Sequence, residues 1–208
     1  MLFMDTGATA DPKPEILVQF AQMGAIYAEK VMGINRPRVG LLANGEEEEK
    51  GTMVLRETFD LLEGGALNFV GNVEPKEAVK GYADVVVTDG FTGNIHIKTA
   101  EAVASFLKRA IQKDLLSGAL PVVAGLLLLP ALIVGLPGLL LLLPRIGRLM
   151  KRMDYAEVGG ALLLGVNGVV IVGHGRSNAR AVRNAILRAR EAVAGDVIPT
   201  IKSELLER

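Results

Sequence analysis

The sequence predicts an α/β fold with a largely parallel sheet, because short apolar runs alternate with amphipathic helical stretches along the chain. Strands are predicted at 1–4, 38–42, 67–70, 83–88 and 168–173. Helices are predicted at about 11–30, 52–62, 94–113, 155–164 and 178–194. Such alternation is typical of parallel sheets that carry helices on their faces. Ligands of these sheets bind at the carboxyl ends of the strands.

In the first half of the chain, the elements follow from their boundaries and spacing. The strand at 1–4 runs straight into a turn that contains Gly7. The helix from Asp11 has proline and an acid in its first turn, and its apolar residues then recur at helical spacing to about Lys30. A short apolar strand at 38–42 precedes a charged loop at 46–50, and the next helix covers 52–62.

In the second half, glycines and β-branched residues mark the boundaries. The strand at 67–70 ends at Gly71-Asn72, and the valine-rich strand at 83–88 ends at Asp89-Gly90. A long helix follows at 94–113. Gly159-Gly160 interrupts a helical stretch at 155–164, a strand follows at 168–173, and the chain ends in an amphipathic helix and a polar helical tail.

Composition excludes several classes of function. The 208 residues suit one large domain or two small ones, and the net charge of zero excludes a global basic field for nucleic acid. Cysteine is absent, which excludes disulfides, thiolate metal sites and cysteine nucleophiles. The histidines His96 and His174 lie far apart in sequence, so no metal site is expected.

One segment, 119–144, contains no charged residue and could by length span a bilayer, which takes about 20 residues. Its four prolines argue against one straight spanning helix. A basic cluster follows, suited to anionic headgroups: Arg145, Arg148, Lys151 and Arg152. We interpret the segment as a helical hairpin that dips into one leaflet. A buried hairpin at a dimer interface and a transmembrane span are the alternatives.

The first candidate site is the motif Asp89-Gly90-Phe91-Thr92-Gly93-Asn94, with Lys98 one turn further on. It follows the strongest strand and opens the longest helix. Glycines let the backbone approach a ligand, and the N–H groups and dipole of a helix start favour an anion. The pattern therefore predicts a phosphate or oxyanion cradle, with an ordinary strand-to-helix turn as the alternative.

A second motif, His174-Gly175-Arg176-Ser177-Asn178, also follows a strand and opens a helix. Histidine can act as an acid, base or donor near neutral pH. Such a histidine is nevertheless more often structural, and Ser177 and Asn178 are typical helix caps. We expect the exits after Thr88 and Gly173 to converge on one pocket that binds a tetrahedral anion.

Two further motifs carry polar groups. The acidic run at 46–49 is typical of a solvated loop, but Lys50-Gly51 can place a positive charge at its tip. Asp5-Thr6-Gly7 also occurs in aspartic proteases, but that class is excluded because no second copy exists and the predicted fold is not all-β. No GxGxxG follows a strand, and neither a Walker motif nor a GxSxG elbow occurs.

Taken in order, these motifs resemble the PlsX family of phosphate acyltransferases. The matching stretches include Asp5-Thr6-Gly7-Ala8, Gln19-Phe20-Ala21-Gln22-Met23-Gly24, Asn68-Phe69-Val70-Gly71-Asn72-Val73-Glu74, Asp89-Gly90-Phe91-Thr92-Gly93-Asn94-Ile95 and His174-Gly175 with Ser177-Asn178-Ala179. The match covers nearly the whole chain and is weakest across the apolar segment. The chain departs from the family pattern at Thr9, Ala102 and Arg176.

The resemblance implies transfer of a fatty acyl group from acyl carrier protein to inorganic phosphate, in phospholipid synthesis. It also implies a three-layer α/β/α fold like that of isocitrate and isopropylmalate dehydrogenases, here truncated at the N-terminus. The family is a cytoplasmic homodimer that associates peripherally with the inner face of the membrane through a helical hairpin, here expected at 115–153. No cofactor, metal or nucleic acid is expected.

Fourteen residues are expected at the site. The catalytic candidates are Lys50, Asn94, Lys98 and His174. The candidates for binding phosphate or substrate are Asp5, Gly7, Asn72, Asp89, Gly90, Thr92, Gly93, Gly175, Ser177 and Asn178. The alternatives are a phosphotransacetylase-like enzyme that uses acyl-CoA, and an inactive membrane-associated fragment.

Overall fold

The computed structural model describes residues 1–115 and 159–206, with 121, 123, 130, 135–136, 138, 140–145, 148 and 157 between them. The predicted hairpin at 115–153 therefore lies largely outside the described residues. The chain divides into a first unit of Met1–Lys98, Ala161–Val172 and Ile186–Arg208 and a second of Thr99–Gly160 and Gly173–Ala185. Among the helices of the described residues, none has the length and apolar content to cross a bilayer.

A four-stranded parallel sheet forms the centre of the first unit. Its strands are β1 (Leu2–Met4), β2 (Arg38–Leu42), β3 (Asn68–Val73) and β4 (Val85–Val87), in the spatial order β1-β4-β2-β3. Val86 of β4 pairs with both Phe3 and Gly40. The prediction of an α/β fold with a mainly parallel sheet is confirmed.

Helices cover both faces of this sheet. On one face, α1 (Pro14–Lys30) and α2 (Met53–Glu63) pack against Val85 and Val87 of β4. On the other face, Ala78 of α3 (Pro75–Lys80) packs against Val86. Neighbouring valines thus point to opposite faces, as the pleat of a strand requires, and all three are fully buried.

A second apolar cluster forms on the outer side of α1. It joins α1 to the C-terminal helix α6 (Val197–Leu206) and to an antiparallel hairpin of β5 (Ala161–Leu163) and β6 (Val170–Val172). The remaining described helices are α4 (Gly90–Ala110), which continues into a π-helical turn at Ile111–Leu115, and α5 (Ala179–Ala194).

The structure corrects three of the predicted elements. The stretch 155–164 is not helical at its end: Gly159 has a positive φ of 83°, which ends a helix, and the next apolar residues form β5. The strand predicted to end at 70 continues through Gly71 to Val73 as β3. The long helix starts at Gly90 instead of 94 because the Asp89 carboxylate caps it.

Candidate functional site

The carboxyl ends of the four parallel strands bring most of the predicted site residues of the first unit to one edge of the sheet. Asp5 follows β1, and Thr88 and Asp89 follow β4. The loop of residues 45–50, called the 45–50 loop below, follows β2, and Glu74 follows β3. Since neighbouring strands lie about 4.8 Å apart, the exits of β1 and β4 form one half of this edge and those of β2 and β3 the other.

Asp5 organises the turn after β1. Its carboxylate accepts hydrogen bonds from the N–H groups of Gly7 (2.8 Å), Ala8 (3.0 Å) and Thr9 (2.7 Å). These three donors are therefore already satisfied by the protein. Residues 5–9, called the Asp5 loop below, form a closed turn that the Asp5 carboxylate organises. Binding of phosphate or substrate by Asp5 and Gly7 stays a prediction.

The start of α4 packs directly on the Asp5 loop. The Gly90 N–H donates to the Thr9 carbonyl at 2.8 Å. A Cβ on Gly93 would lie 2.0 Å from the Asp5 carbonyl oxygen, so only glycine permits this approach. A Cβ on Gly90 would lie 2.9 Å from an Asp5 carboxylate oxygen. Both glycines therefore serve close packing of backbone on backbone.

The first turn of α4 is capped from within the chain. The Asp89 carboxylate accepts from the Thr92 N–H at 2.7 Å, and the Asp89 carbonyl accepts from the Gly93 N–H at 2.9 Å. With the bond from Gly90 to Thr9, three of the first four donors of the helix have partners. The side chains and the dipole of this turn also suit an anion, and the backbone cradle stays a prediction.

Asn94 stands where α4 and the Asp5 loop meet. A Cβ on Gly7 would lie 3.7 Å from the Asn94 Cγ, so the two residues are neighbours. Asn94, Thr92 and Lys98 are all exposed. The first two turns of α4 thus present a hydroxyl, an amide and an ammonium group, each of which can donate to an oxyanion. Asn94 and Lys98, four residues apart, share one side of the helix. His96 between them points away and lies 5.0 Å from the Phe3 ring, which anchors the helix to the sheet.

Lys50 belongs to the other half of the edge. It lines an open cleft of about 440 Å³ with Asn44, Gly45, Glu46, Glu47, Glu74 and Lys76. The neighbouring Glu74 carboxylate raises the pKa of Lys76 above its usual value, so this second ammonium stays protonated. The cleft therefore carries both signs of charge, and Lys50 is grouped with these residues in place of Asn94.

Asn72 is buried beneath this cleft. Its side chain is only 4% exposed, and its amide donates to the Glu47 carbonyl at 2.7 Å. The prediction that Asn72 binds phosphate or substrate is not tested by this arrangement, but the amide donor is directed at the protein itself. Its Oδ1 accepts no hydrogen bond from the described residues.

The His174 motif lies in the second unit and opens α5. The Asn178 Oδ1 accepts from the Ala181 N–H at 3.0 Å and caps the helix, and the Ser177 hydroxyl donates to the His174 carbonyl at 2.6 Å. The His174 Nδ1 accepts from the Arg176 N–H at 3.1 Å. Gly175 between them is exposed. A pocket shared with the exit after Thr88 stays a prediction.

Two residues of this edge escaped the sequence analysis. Thr88 is 1% exposed, and its hydroxyl has no partner among the described residues. Lys76 lines the cleft from the start of α3. The short helix α3 was not predicted, although Glu74-Pro75 is a typical helix start, and recognising it would have drawn attention to Lys76.

Comparison with known proteins gives a consistent result. The family model described as "Fatty acid synthesis protein" matches residues 1–200. The chain is 45% identical over 206 residues to a phosphate acyltransferase of Anoxybacillus flavithermus, which covers 99% of this chain and 58% of the relative. It is 47% identical over 204 residues to a phosphate acyltransferase of Geobacillus sp., and this alignment covers 98% of this chain and 58% of the relative. A relative in Herpetosiphon aurantiacus is 48% identical over 223 residues, with 98% and 61% covered. The chain thus spans about three fifths of the length of these relatives.

Proposed function

Since the chain belongs to the fatty acid synthesis protein family, we propose that it carries the site of a phosphate acyltransferase, which makes acyl phosphate from inorganic phosphate and an acyl thioester of acyl carrier protein. The product would serve phospholipid synthesis.

The reaction needs no covalent enzyme intermediate. A phosphate oxygen attacks the carbonyl carbon of the thioester, and negative charge develops on the carbonyl oxygen. The carbon–sulfur bond then breaks. The proton of hydrogen phosphate ends on the sulfur, so that acyl phosphate and a free thiol leave. The protein must hold phosphate beside the thioester and stabilise the developing charge.

The side chains of α4 suit the second task. Asn94 and Lys98 would donate to phosphate or to the oxyanion from successive turns of the helix, with the dipole adding to their effect. Lys50 would neutralise charge from the neighbouring half of the edge. His174, whose Nδ1 is used inside the chain, would donate from Nε2 to the leaving sulfur or orient phosphate.

One observation carries the proposal: the polar motifs of the first unit that resemble the family lie together at the carboxyl ends of parallel strands. Binding sites of α/β sheets occupy this edge. The Asp5 loop, the α4 start and the 45–50 loop come from three different strand exits, so their placement at one edge is a product of the fold.

The direct test is to incubate the purified chain with inorganic phosphate and an acyl thioester, and to measure acyl phosphate by ³¹P NMR. We expect product from acyl carrier protein thioesters and none when phosphate is omitted. Product from CoA thioesters alone would favour a phosphotransacetylase-like enzyme. Absence of product with either donor would identify this chain as an inactive fragment.

Lys98→Ala tests the site itself. We expect the rate of acyl phosphate formation to fall by about 10²–10³, the range for loss of one oxyanion donor, with little change in unfolding midpoint. Lys80→Ala is the matched control, because Lys80 is an exposed lysine paired with Glu77 on α3. Unchanged turnover in Lys98→Ala would remove Lys98 from the site.

We also propose that residues 115–153 form an apolar hairpin that binds the inner, cytoplasmic face of the cell membrane. The leucines at 140–143 are described and each is about half exposed or more, which supports contact with an apolar phase. Co-sedimentation with vesicles containing anionic lipid tests this. Neutralisation of Arg145 and Arg148 to glutamine should weaken it by about 1 kcal/mol per residue. Binding that is independent of anionic lipid and of these arginines would contradict the proposal.

A homodimer with the three-layer dehydrogenase-like fold completes the proposal. In the second unit, α4 and the π-helical turn expose Val103, Phe106, Leu107 and Ile111, an apolar face that a second copy would cover. Analytical ultracentrifugation tests the oligomeric state. A monomer at all concentrations would contradict it.

A further inference from the structure

Asn72 owes its orientation to a β-bulge. Val39 of β2 pairs with Phe69 of β3, but Leu41 pairs with Asn72, so β3 has one extra residue between the two pairs. Gly71, at a φ of 86°, occupies the bulge. Bulges are rare in parallel pairs such as β2 and β3, and bulges in general are over-represented beside active sites, where they redirect a side chain.

The packing on both sides of the bulge shows this change of direction. Phe69 contributes to the apolar cluster under α1 and α2, and Val70 to the cluster on the opposite face. In a regular strand Asn72 would face the same side as Val70. Val73 instead faces the same side of the sheet as Val70, and Asn72 pairs with Leu41 on the side covered by α1 and α2.

From this position Asn72 supports the 45–50 loop. The Glu47 carbonyl accepts from the Asn72 amide at 2.7 Å and from the Lys50 N–H at 3.1 Å. The turn that carries Lys50 is thereby tied to a buried side chain of the sheet. Gly45 lies underneath, where a Cβ would be 2.7 Å from both the Glu47 carboxylate and the Lys50 Cγ.

We infer that Asn72 is a positioning residue: its amide fixes the turn that holds Lys50 over the cleft, and it does not contact substrate. The donor is used inside the protein and the side chain is nearly inaccessible, so a direct role in binding is disfavoured. The part of the inference that concerns catalysis rests on the proposed function, but the positioning of the loop does not.

The loop is tested by native-state cleavage with the protease Lys-C, followed at the Lys50–Gly51 bond by mass spectrometry. Asn72→Leu preserves volume and removes the donor, so cleavage should rise about fivefold, the effect of losing one hydrogen bond on local opening. Asn68→Leu is the matched control, because the Asn68 amide donates to the Arg36 carbonyl at the other end of the same strand. It should leave cleavage at Lys50 unchanged.

Kinetics separate positioning from binding. In Asn72→Leu we expect kcat to fall about tenfold while the KM for phosphate stays within about twofold, because only the alignment of Lys50 is lost.

A raised phosphate KM with unchanged cleavage would overturn the inference, and so would equal cleavage in the Asn72 and Asn68 variants. Asn72→Ser, whose hydroxyl is too short to reach Glu47, gives the same readout if the leucine variant does not fold. If the unsubstituted chain forms no acyl phosphate, the proposed function fails, and cleavage alone still decides the role of Asn72.

Discussion

The two halves of the carboxyl edge are built in contrasting ways. At the exits of β1 and β4, backbone packs on backbone: the Asp5 carboxylate binds three N–H groups, and Gly93 leaves no space for a Cβ against the Asp5 carbonyl. At the exits of β2 and β3, long charged side chains surround an open cleft, and the Asn72 amide ties the loop to the sheet. The first half is held by contacts between backbone atoms, and the second by a hydrogen bond from a buried side chain.

If this edge is the site of the proposed reaction, its two halves would provide two different properties. In that reaction, donors to the developing charge must be preorganised, and the contact of α4 with the Asp5 loop would fix the position of Asn94. The position of Lys50 would depend on the hydrogen bond from the Asn72 amide to Glu47. Substitutions that strain one half of the edge and leave the other half unchanged test this difference.

The largest effect is expected for Gly93→Ala. Its Cβ would lie 2.0 Å from the Asp5 carbonyl oxygen and 2.9 Å from the Thr88 Cγ2, and the backbone atom cannot move aside. We expect a loss of about 3 kcal/mol in the free energy of unfolding, measured by urea denaturation. Gly168→Ala is the control, since a Cβ there meets no described atom within 4 Å, and it should change stability by less than about 0.5 kcal/mol. Equal stability of the two variants would show that the first half is not rigid.

An intermediate effect is expected for Gly71→Ala. A Cβ at this position meets Phe59 only at an ordinary 3.8 Å, so the cost is the positive φ, about 1 kcal/mol. Gly81→Ala has nearly the same φ, at the end of α3, and should lose similar stability. Cleavage after Lys50 should rise only in Gly71→Ala, because only that glycine forms the bulge that orients Asn72. Equal cleavage in the two variants would show that the 45–50 loop does not depend on the bulge.

The smallest loss in the free energy of unfolding is expected for Asp84→Asn. Asp84 lies at the amino ends of the strands, at the opposite edge of the sheet from the site. Hydrogen bonds from the Arg38 guanidinium, at 3.0 Å, hold the pKa of Asp84 below its usual value. A lowered folded-state pKa stabilises the protein above the ordinary value of about 4, and this contribution is lost as pH falls through the folded value. The stability difference between wild type and Asp84→Asn should therefore shrink from pH 7 to about pH 3. A difference that is constant with pH, or a change in Lys50 cleavage, would contradict this assignment.

The site was predicted unevenly, and the reason is local. Asp89 and Gly90 were recognised because a polar residue and a glycine end the valine run. The structure confirms the strand before Asp89 and the helix after it. The extent of β3 was predicted wrongly, because Gly71 is a typical terminator in sequence and its role as a bulge depends on the partner strand. The β5 strand was taken for helix since three apolar residues are compatible with either state until a partner strand pairs with them.

The sequence by itself determined which segments are buried, where the glycine turns fall, and to which family the chain belongs, because these properties depend on residue type and spacing along the chain. The tertiary structure decided which strands are neighbours, that Lys50 is grouped with Glu74 and Lys76 instead of Asn94, and that the amide of Asn72 points into the 45–50 loop. These relations arise from the pairing order of the strands and from one extra residue in β3. Both are set by contacts between distant segments, which no local pattern encodes.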